Sequence, residues 1–432
     1  ERRAIEDRLK RGQLRGLTST NALEVGIDIG GLDAVLISGF PGTIISTWQQ
    51  AGRAGRRGKD SAAFLIAFQD LLDQYFMRHP ETFFGSPHEH AIVDLANPYI
   101  VSGHLLCAAS ELPVRPERDR DLWPGDLEGP IRSLSEAHLL RPTPHGAVYC
   151  GRGRAAEAVK LDSISSETFR MTSNGSLLET MDRAQAFREA HEGAVVLHRG
   201  ETYLVREMDL ETRRIRVERA DVDYYTDALK SVDLRVVREN SRREGDGFTL
   251  SLGDVEVTEQ FTGYRIMKYD ALIGFEPLNL LPLKFGTRAL WFTLSPGLAS
   301  AITTKGFDLA GSLHGAEHAI IGVAPFHVLC DRRDLGGVST PAHPDTDGPA
   351  IFVYDGYEGG IGLAEKASAL MESIAAMAEE AVRDCRCEAG CPACIYSPKC
   401  GNDNTPLDKG GTVQVLGELL AGMADLSGPG TW

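Results

Sequence analysis

Gln49-Gln50-Ala51-Gly52-Arg53-Ala54-Gly55-Arg56-Arg57-Gly58 is the stretch on which the reading of this 432-residue chain turns. A helix from Ser46 to Gly55, opened by Ser/Thr, would place Gln49, Arg53 and Arg56 at steps of four and three, on one face. A forked guanidinium matches the oxygens of a phosphoryl group. An arginine inserted beside a transferring γ-phosphoryl group is worth roughly 10³ to 10⁵ in rate. Gly52 and Gly55 keep such a helix slim where it faces another surface. The bland alternative is an arginine- and glycine-rich surface turn.

Upstream lies Thr18-Ser19-Thr20-Asn21-Ala22-Leu23-Glu24-Val25-Gly26-Ile27-Asp28. Gly26 and Asp28 fall on a loop after a strand, where an aspartate can accept from ribose hydroxyls, and Thr18 and Thr20 could donate to a strand phosphate. Leu14 to Ser19 reads as a short strand, and Ala34 to Ser38 and Ala62 to Phe68 read as buried ones. With the helix between them, this is the pattern of one parallel sheet. Asp70 to Arg78 gives a further helix. The two motifs resemble motifs V and VI of superfamily two helicases, in the second of two RecA-like lobes. Gln50 stands where an arginine is common. No Gly-Lys-[Ser/Thr] phosphate loop occurs, the nearest approach being Gly58-Lys59-Asp60, and the first residue is Glu1. The expectation is therefore a C-terminal piece of a longer chain whose first lobe, in cis, holds the phosphate loop and magnesium ligands.

Hydrophobic content of 42% and charged content of 25% suit a soluble chain of about two to four domains. No apolar run approaches the roughly 18 residues of a membrane span. A net charge of −16 argues against a purely electrostatic nucleic-acid binder, though a local basic stripe suffices to hold one strand. Arg2, Arg3, Arg8, Lys10, Arg11 and Arg15 offer such a stripe, or a solvated helix face. Trp48, Tyr224 and Tyr225 could stack on a base or pack in a core.

Four units are expected. Residues 1–90 form the lobe. Residues 91–160 read as helix (Tyr99 to Leu112), helix (Gly129 to Leu139) and hairpin (Thr143 to Tyr149), a winged-helix outline. Residues 161–294 are strand-rich, with a hairpin turning at Arg199-Gly200, an exposed charged loop from Arg238 to Asp246, and a small barrel as the outcome. Residues 295–432 return to α/β, with a helix from Gly306 to Ala324, a strand from Ala350 to Tyr354 and a helix from Leu363 to Arg383.

Five of eight cysteines crowd into one segment: Cys385, Cys387, Cys391, Cys394 and Cys400. A secreted disulfide framework spreads more evenly, so the clustering points to metal in a reducing compartment. Four thiolates around a tetrahedral ion make a closed structural zinc site, although an iron–sulfur cluster takes the same ligands. Cys385, Cys387, Cys391 and Cys394 are the favoured quartet, with Cys400 as alternative ligand. His314-Gly315-Ala316-Glu317-His318 matches an inverted zinc-peptidase pattern. A metallohydrolase is thus a rival reading, against side chains that simply hydrogen-bond in the interior.

The segments His314-Gly315-Ala316-Glu317-His318-Ala319, Tyr354-Asp355-Gly356-Tyr357-Glu358-Gly359-Gly360-Ile361-Gly362 and the closing cysteine run together resemble the Hrq/MrfA branch of superfamily two, which includes the SftH-like helicases of mycobacteria. The resemblance covers essentially the whole chain. It implies an α/β and α+β multidomain fold: a RecA-like parallel-sheet lobe, a winged helix, a β-rich barrel-like module and a zinc-binding α/β domain. It also implies an ATP-dependent 3′-to-5′ DNA helicase of DNA repair, using ATP and Mg²⁺, acting on single-stranded and forked DNA, in the bacterial cytoplasm at the nucleoid. Arg53 and Arg56 then become phosphate-sensing residues, Gln49 a coupling residue and Asp28 a nucleotide contact. A different-class rival is a DNA-binding or scaffolding module with a vestigial ATPase lobe.

Overall fold

The computed structural model describes residues 2–24, 32–55, 60–87, 89, 91–123, 125–159, 167–269 and 271–423. The first unit comprises α1 (Arg2–Lys10), β1 (Ala34–Ser38), α2 (Ile44–Ala51), β2 (Ala62–Ile66), α3 (Leu71–Arg78) and α4 (Pro80–Gly85). β1 and β2 pair in parallel, Ala34 opposite Ala62. Asp73, buried on α3, accepts from Phe40 N at 3.0 Å and Phe68 N at 2.6 Å, tying the strand ends to the helix. Three expectations need correction. Residues 14–19 form no strand. Leu36, Phe64 and Ile66, which the register sets on one face, are exposed rather than buried, because no described element covers that face. And α2 stops at Ala51, where Gly52 caps it.

The second unit is α5 (Pro98–Glu111), α6 (Pro116–Asp119), α7 (Glu128–Glu136), the hairpin of β3 (Leu140–Thr143) with β4 (Gly146–Tyr149), and α8 (Ala155–Ala158). Asn97 caps α5 through Tyr99 N and Ile100 N, and Pro98 sits in its first turn, where its missing N–H costs nothing. Leu105, Leu127, Leu134, Leu140 and Ala147 make its core.

Two sheets follow. β5 (Thr168–Ser173), β6 (Ser176–Asp182), β7 (Val195–His198), β8 (Glu201–Asp209) and β9 (Arg214–Arg219) pair in the order β6-β5-β9-β8-β7, around α9 (Arg183–Glu189). The expected turn at Arg199-Gly200 has both residues at positive φ (52° and 80°), the requirement of a two-residue hairpin. The larger sheet runs β10-β11-β13-β15-β14, from β10 (Tyr225–Gly245), β11 (Phe248–Lys268), β13 (Leu283–Leu294), β14 (Leu335–His343) and β15 (Gly348–Asp355), with β12 (Ala271–Pro277) also on β11. The charged run 238–246, expected as a loop, is instead mostly strand. Arg242 and Arg243 pair opposite Ser251 and Leu250. Their charges suit an edge strand whose backbone must not recruit another chain, and its register shifts are further edge features.

One face of this sheet carries α10 (Pro296–Thr304), α11 (Leu309–His327), α12 (Leu363–Ala369), α13 (Met371–Arg383) and α14 (Lys409–Met423). Leu250, Leu290, Phe292, Ile351 and Val353 meet Leu313, Ala316, Ile320 and Val323 there. The helix expected from Leu363 to Arg383 is two helices, divided at Leu370. Since β13 pairs with β15, the sheet runs across the division expected at residue 294. Ile44, Leu71, Tyr75 and Phe76 of the first unit join this same core.

Candidate metal centre and helicase-lobe site

The cysteine segment leaves the end of α13 and packs against the core of the helical layer. Cys385 N bonds back to Val382 O, and Gly390 turns the chain at φ +113°, where a side chain would strike Ile395. In Cys391-Pro392-Ala393-Cys394 the amides of Cys394, Ile395 and Tyr396 all point at Cys391 O (3.0–3.2 Å), and Cys391 N donates to Cys394 Sγ at 3.2 Å. Lys409, opening α14, donates to the carbonyls of Cys385 and Cys387, 2.6 Å each. Neither contact has a sequence signal.

Sγ atoms of Cys385, Cys387, Cys391 and Cys394 lie within 4.8 Å of one another, with contacts of 3.5–3.8 Å. Zinc–sulfur bonds of about 2.3 Å at tetrahedral angles put sulfurs about 3.8 Å apart, so these residues fit a structural zinc ion. Burial opposes ionisation of Cys385, but the Cys387 amide and the neighbouring thiols outweigh it and bring the thiol down to about 7. Burial pushes the Cys394 and Cys391 thiols up. Metal binding at neutral pH must therefore expel protons from the set.

Cys400 does not join the quartet. Its sulfur lies 3.4 Å from His314 Nε2 and accepts from Asn404 N at 3.3 Å. His314 and His318 share a face of α11, ring centroids 4.2 Å apart, and their Nδ1 atoms bond the carbonyls of Pro406 and Ile395 at 2.8 Å each. Glu317 reaches to β14, where it bonds Ser339; burial raises its carboxyl, against the lowering effects of Ser339 and of the His314 charge. The general base that a peptidase would need is thus engaged on β14.

In the first unit, Thr43 Oγ1 caps α2 through Ser46 N (3.0 Å), and the Glu89 carboxylate accepts from Ile44 N and Ile45 N. Arg53 lies beyond the helix end, so the expected single helical face is not formed. Its guanidinium bonds the carbonyls of Glu24 and Gln49. Glu24 also accepts from Ser46 Oγ at 2.6 Å and Gln50 Nε2 at 3.0 Å. Sequence reasoning missed Glu24, whose lone acidic side chain gives no pattern. Thr18 and Thr20 are exposed, and Gly26, Asp28 and Arg56 lie outside the described residues. Trp48 packs beside Phe83 and Phe84.

Three family models match: the helicase conserved C-terminal domain over residues 1–58, the winged helix domain of ATP-dependent helicase HRQ1 over 93–154, and the MrfA Zn-binding domain over 316–395. This chain corresponds to the C-terminal region of Hrq1/MrfA-type helicases. The region is 35% identical over 402 residues to the Bacillus subtilis protein named uncharacterized ATP-dependent helicase YprA, covering 91% of this chain and 53% of that one. It is 30% identical to ATP-dependent helicase hrq1 of Schizosaccharomyces pombe, covering 97% and 41%. A crystal structure of the DUF1998 helicase MrfA bound to DNA superposes with a TM-score of 0.59 at 32% identity, covering 97% of this chain and 56% of that one. A second, with DNA and AMPPNP, gives 0.56 at 31%, covering 96% and 54%. The chain spans about half the length of the curated relatives it matches. Among the described residues, no helix is long and apolar enough to cross a membrane.

Proposed function

We propose that the complete protein is an ATP-dependent DNA helicase or translocase that moves 3′ to 5′ along a single strand, engages forks and acts in DNA repair. ATP with Mg²⁺ would bind between this lobe and a first RecA-like lobe in cis. Arg53 and Arg56 would meet the γ-phosphoryl charge, Gln49 would couple hydrolysis to movement, Gly26 and Asp28 would contact the nucleotide, and Thr18 and Thr20 the strand. The zinc ion, held by Cys385, Cys387, Cys391 and Cys394, supplies a structural cross-link and no open position for a substrate. Because residues 1–432 contain no phosphate loop, hydrolysis by them alone is not expected.

The observation that carries this reading is Glu24. It bonds Ser46, Gln50 and Arg53, so the segment named for strand and ribose contacts is fastened directly to the one named for phosphate. Such a link is what coupling between nucleotide and strand needs. Relatives named as ATP-dependent helicases, and a neighbour solved with DNA and AMPPNP, support it. The test is Arg53→Ala in the complete protein. DNA-stimulated ATP hydrolysis should fall by about 10³-fold or more; an unchanged rate in a folded variant would overturn the role of Arg53.

A further inference from the structure

We propose that His314, His318 and Cys400 form a second metal site, separate from the four-cysteine centre, for a borderline divalent cation of the zinc class. A ring nitrogen of each histidine and Cys400 Sγ lie within 4.8 Å of one another, and both histidines are buried. Two independent features of the cluster point to a cation.

The first is protonation. The carbonyls of Pro406 and Ile395 can only accept, so each Nδ1 must carry its hydrogen. In the neutral rings that leaves both Nε2 atoms as bare lone pairs. A histidine whose far nitrogen donates to a backbone carbonyl is oriented as metal-bound histidines are. Cys400 brings one proton to the three atoms, and its sulfur already accepts from Asn404 N. That single proton must serve two nitrogen lone pairs and a sulfur held together. A cation replacing the proton satisfies all three at once.

The second is distance. Zinc bonds of about 2.3 Å to sulfur and about 2.0 Å to nitrogen, at a tetrahedral angle, separate the two ligand atoms by about 3.5 Å. Cys400 Sγ and His314 Nε2 are 3.4 Å apart. Three protein ligands leave a fourth position for water. With Glu317 turned to β14, nothing in the cluster is placed to activate that water, so the site is a staple.

The loop around Cys400 is built to be stapled. Asn404 and Ser397 close it reciprocally, Oδ1 accepting from Ser397 N at 2.7 Å and Nδ2 donating to Ser397 O at 3.1 Å. Asp403 pairs with Arg265 on β11, and Gly401 lies so close to Lys230 O on β10 that a side chain there would clash. A metal at this point would join α11, through the loop, to the edge of the large sheet.

The experiment counts metal in the full chain and maps Cys400. Zinc analysis of metal-replete protein should give two equivalents per chain, falling to one in Cys400→Ala and in His318→Gln. Chelated protein titrated with Co²⁺ should show two binding steps, the Cys400→Ala variant one. Should those variants misfold, wild-type protein decides alone: alkylation of Cys400 by iodoacetamide, read by peptide mapping, should slow at least tenfold on adding Zn²⁺, while exposed Cys150 reacts unchanged. One equivalent in the wild type with no loss in Cys400→Ala, or Cys400 alkylation indifferent to Zn²⁺, would leave only a hydrogen-bonded thiol–imidazole cluster and overturn the proposal.

Discussion

Arg332 grips Asp70 at two points, Nη1 2.7 Å from Oδ2 and Nη2 3.0 Å from Oδ1, across 262 positions of sequence. Asp70 is also the cap of α3, accepting from Leu72 N, and the Arg332 carbonyl accepts from Lys399 Nζ. One ion pair therefore ties the first unit to the zinc-binding layer. Because both side chains are partly exposed, its net worth is that of a good surface pair, about 1 kcal/mol. A double-mutant cycle of Asp70→Asn and Arg332→Gln, read by denaturant unfolding, should show a coupling of that size. Strict additivity would mean that the core around Tyr75 and Phe76 alone holds the units together.

Removing the four-cysteine metal should be far more disruptive. Cys385, Cys387 and Cys391 line the main core, and the short loop carrying them has little core of its own. Metal binding can contribute on the order of 10 kcal/mol to folding such a segment. Cys391→Ser should lose one metal equivalent and lower the melting temperature by about 10 °C or more. A variant that keeps its full metal content, or melts with the wild type, would remove Cys391 from the ligand set.

Much of this was legible where local chemistry decides the outcome. The turn at Arg199-Gly200, the hairpin of β3 with β4 and the Cys-x₂-Cys knuckle each rest on a few adjacent residues. What stayed hidden rests on distant partners. The run 238–246 looks like a loop because its charges belong to an edge strand, and only its pairing with β11 shows it as one. The spacing of Gln49, Arg53 and Arg56 suggests a continuous helix, yet Gly52 ends it and the Arg53 guanidinium bonds Glu24 O. Cys400 looks like a fifth ligand of one site until His314, 86 positions away, is seen beside it.

Acid should destabilise the molecule partly through His327. Burial lowers its imidazole to about 4 from the ordinary 6.5, and among the described atoms its Nε2 has no partner. Between those values the unfolded chain binds a proton that the folded one refuses. Stability is therefore complete above pH 6.5 and declines as pH falls towards 4, by about 2 to 3 kcal/mol at most. His327→Phe should flatten that limb relative to wild type. Parallel stability–pH curves for the two proteins from pH 6.5 to 4 would show that His327 does not titrate this way.

Glu24 gives the sharpest test of coupling, because it touches no reacting atom in the proposed scheme. Its carboxylate fixes Ser46 and Gln50 on α2, and its carbonyl holds Arg53, so losing the carboxylate frees the helix while leaving the arginine in place. Two hydrogen bonds to a charged acceptor are at stake, worth about 1.5 to 3 kcal/mol each net of the exchange with water. In the complete protein, Glu24→Ala should lower kcat of DNA-stimulated ATP hydrolysis by about tenfold or more, with KM for ATP nearly unchanged. Gln50→Arg should act oppositely on stability, since a guanidinium at this position pairs with the same carboxylate and strengthens the link by up to about 1 kcal/mol. A Glu24→Ala variant whose folded fraction drops while kcat per folded molecule stays at the wild-type value would reduce Glu24 to a structural tether.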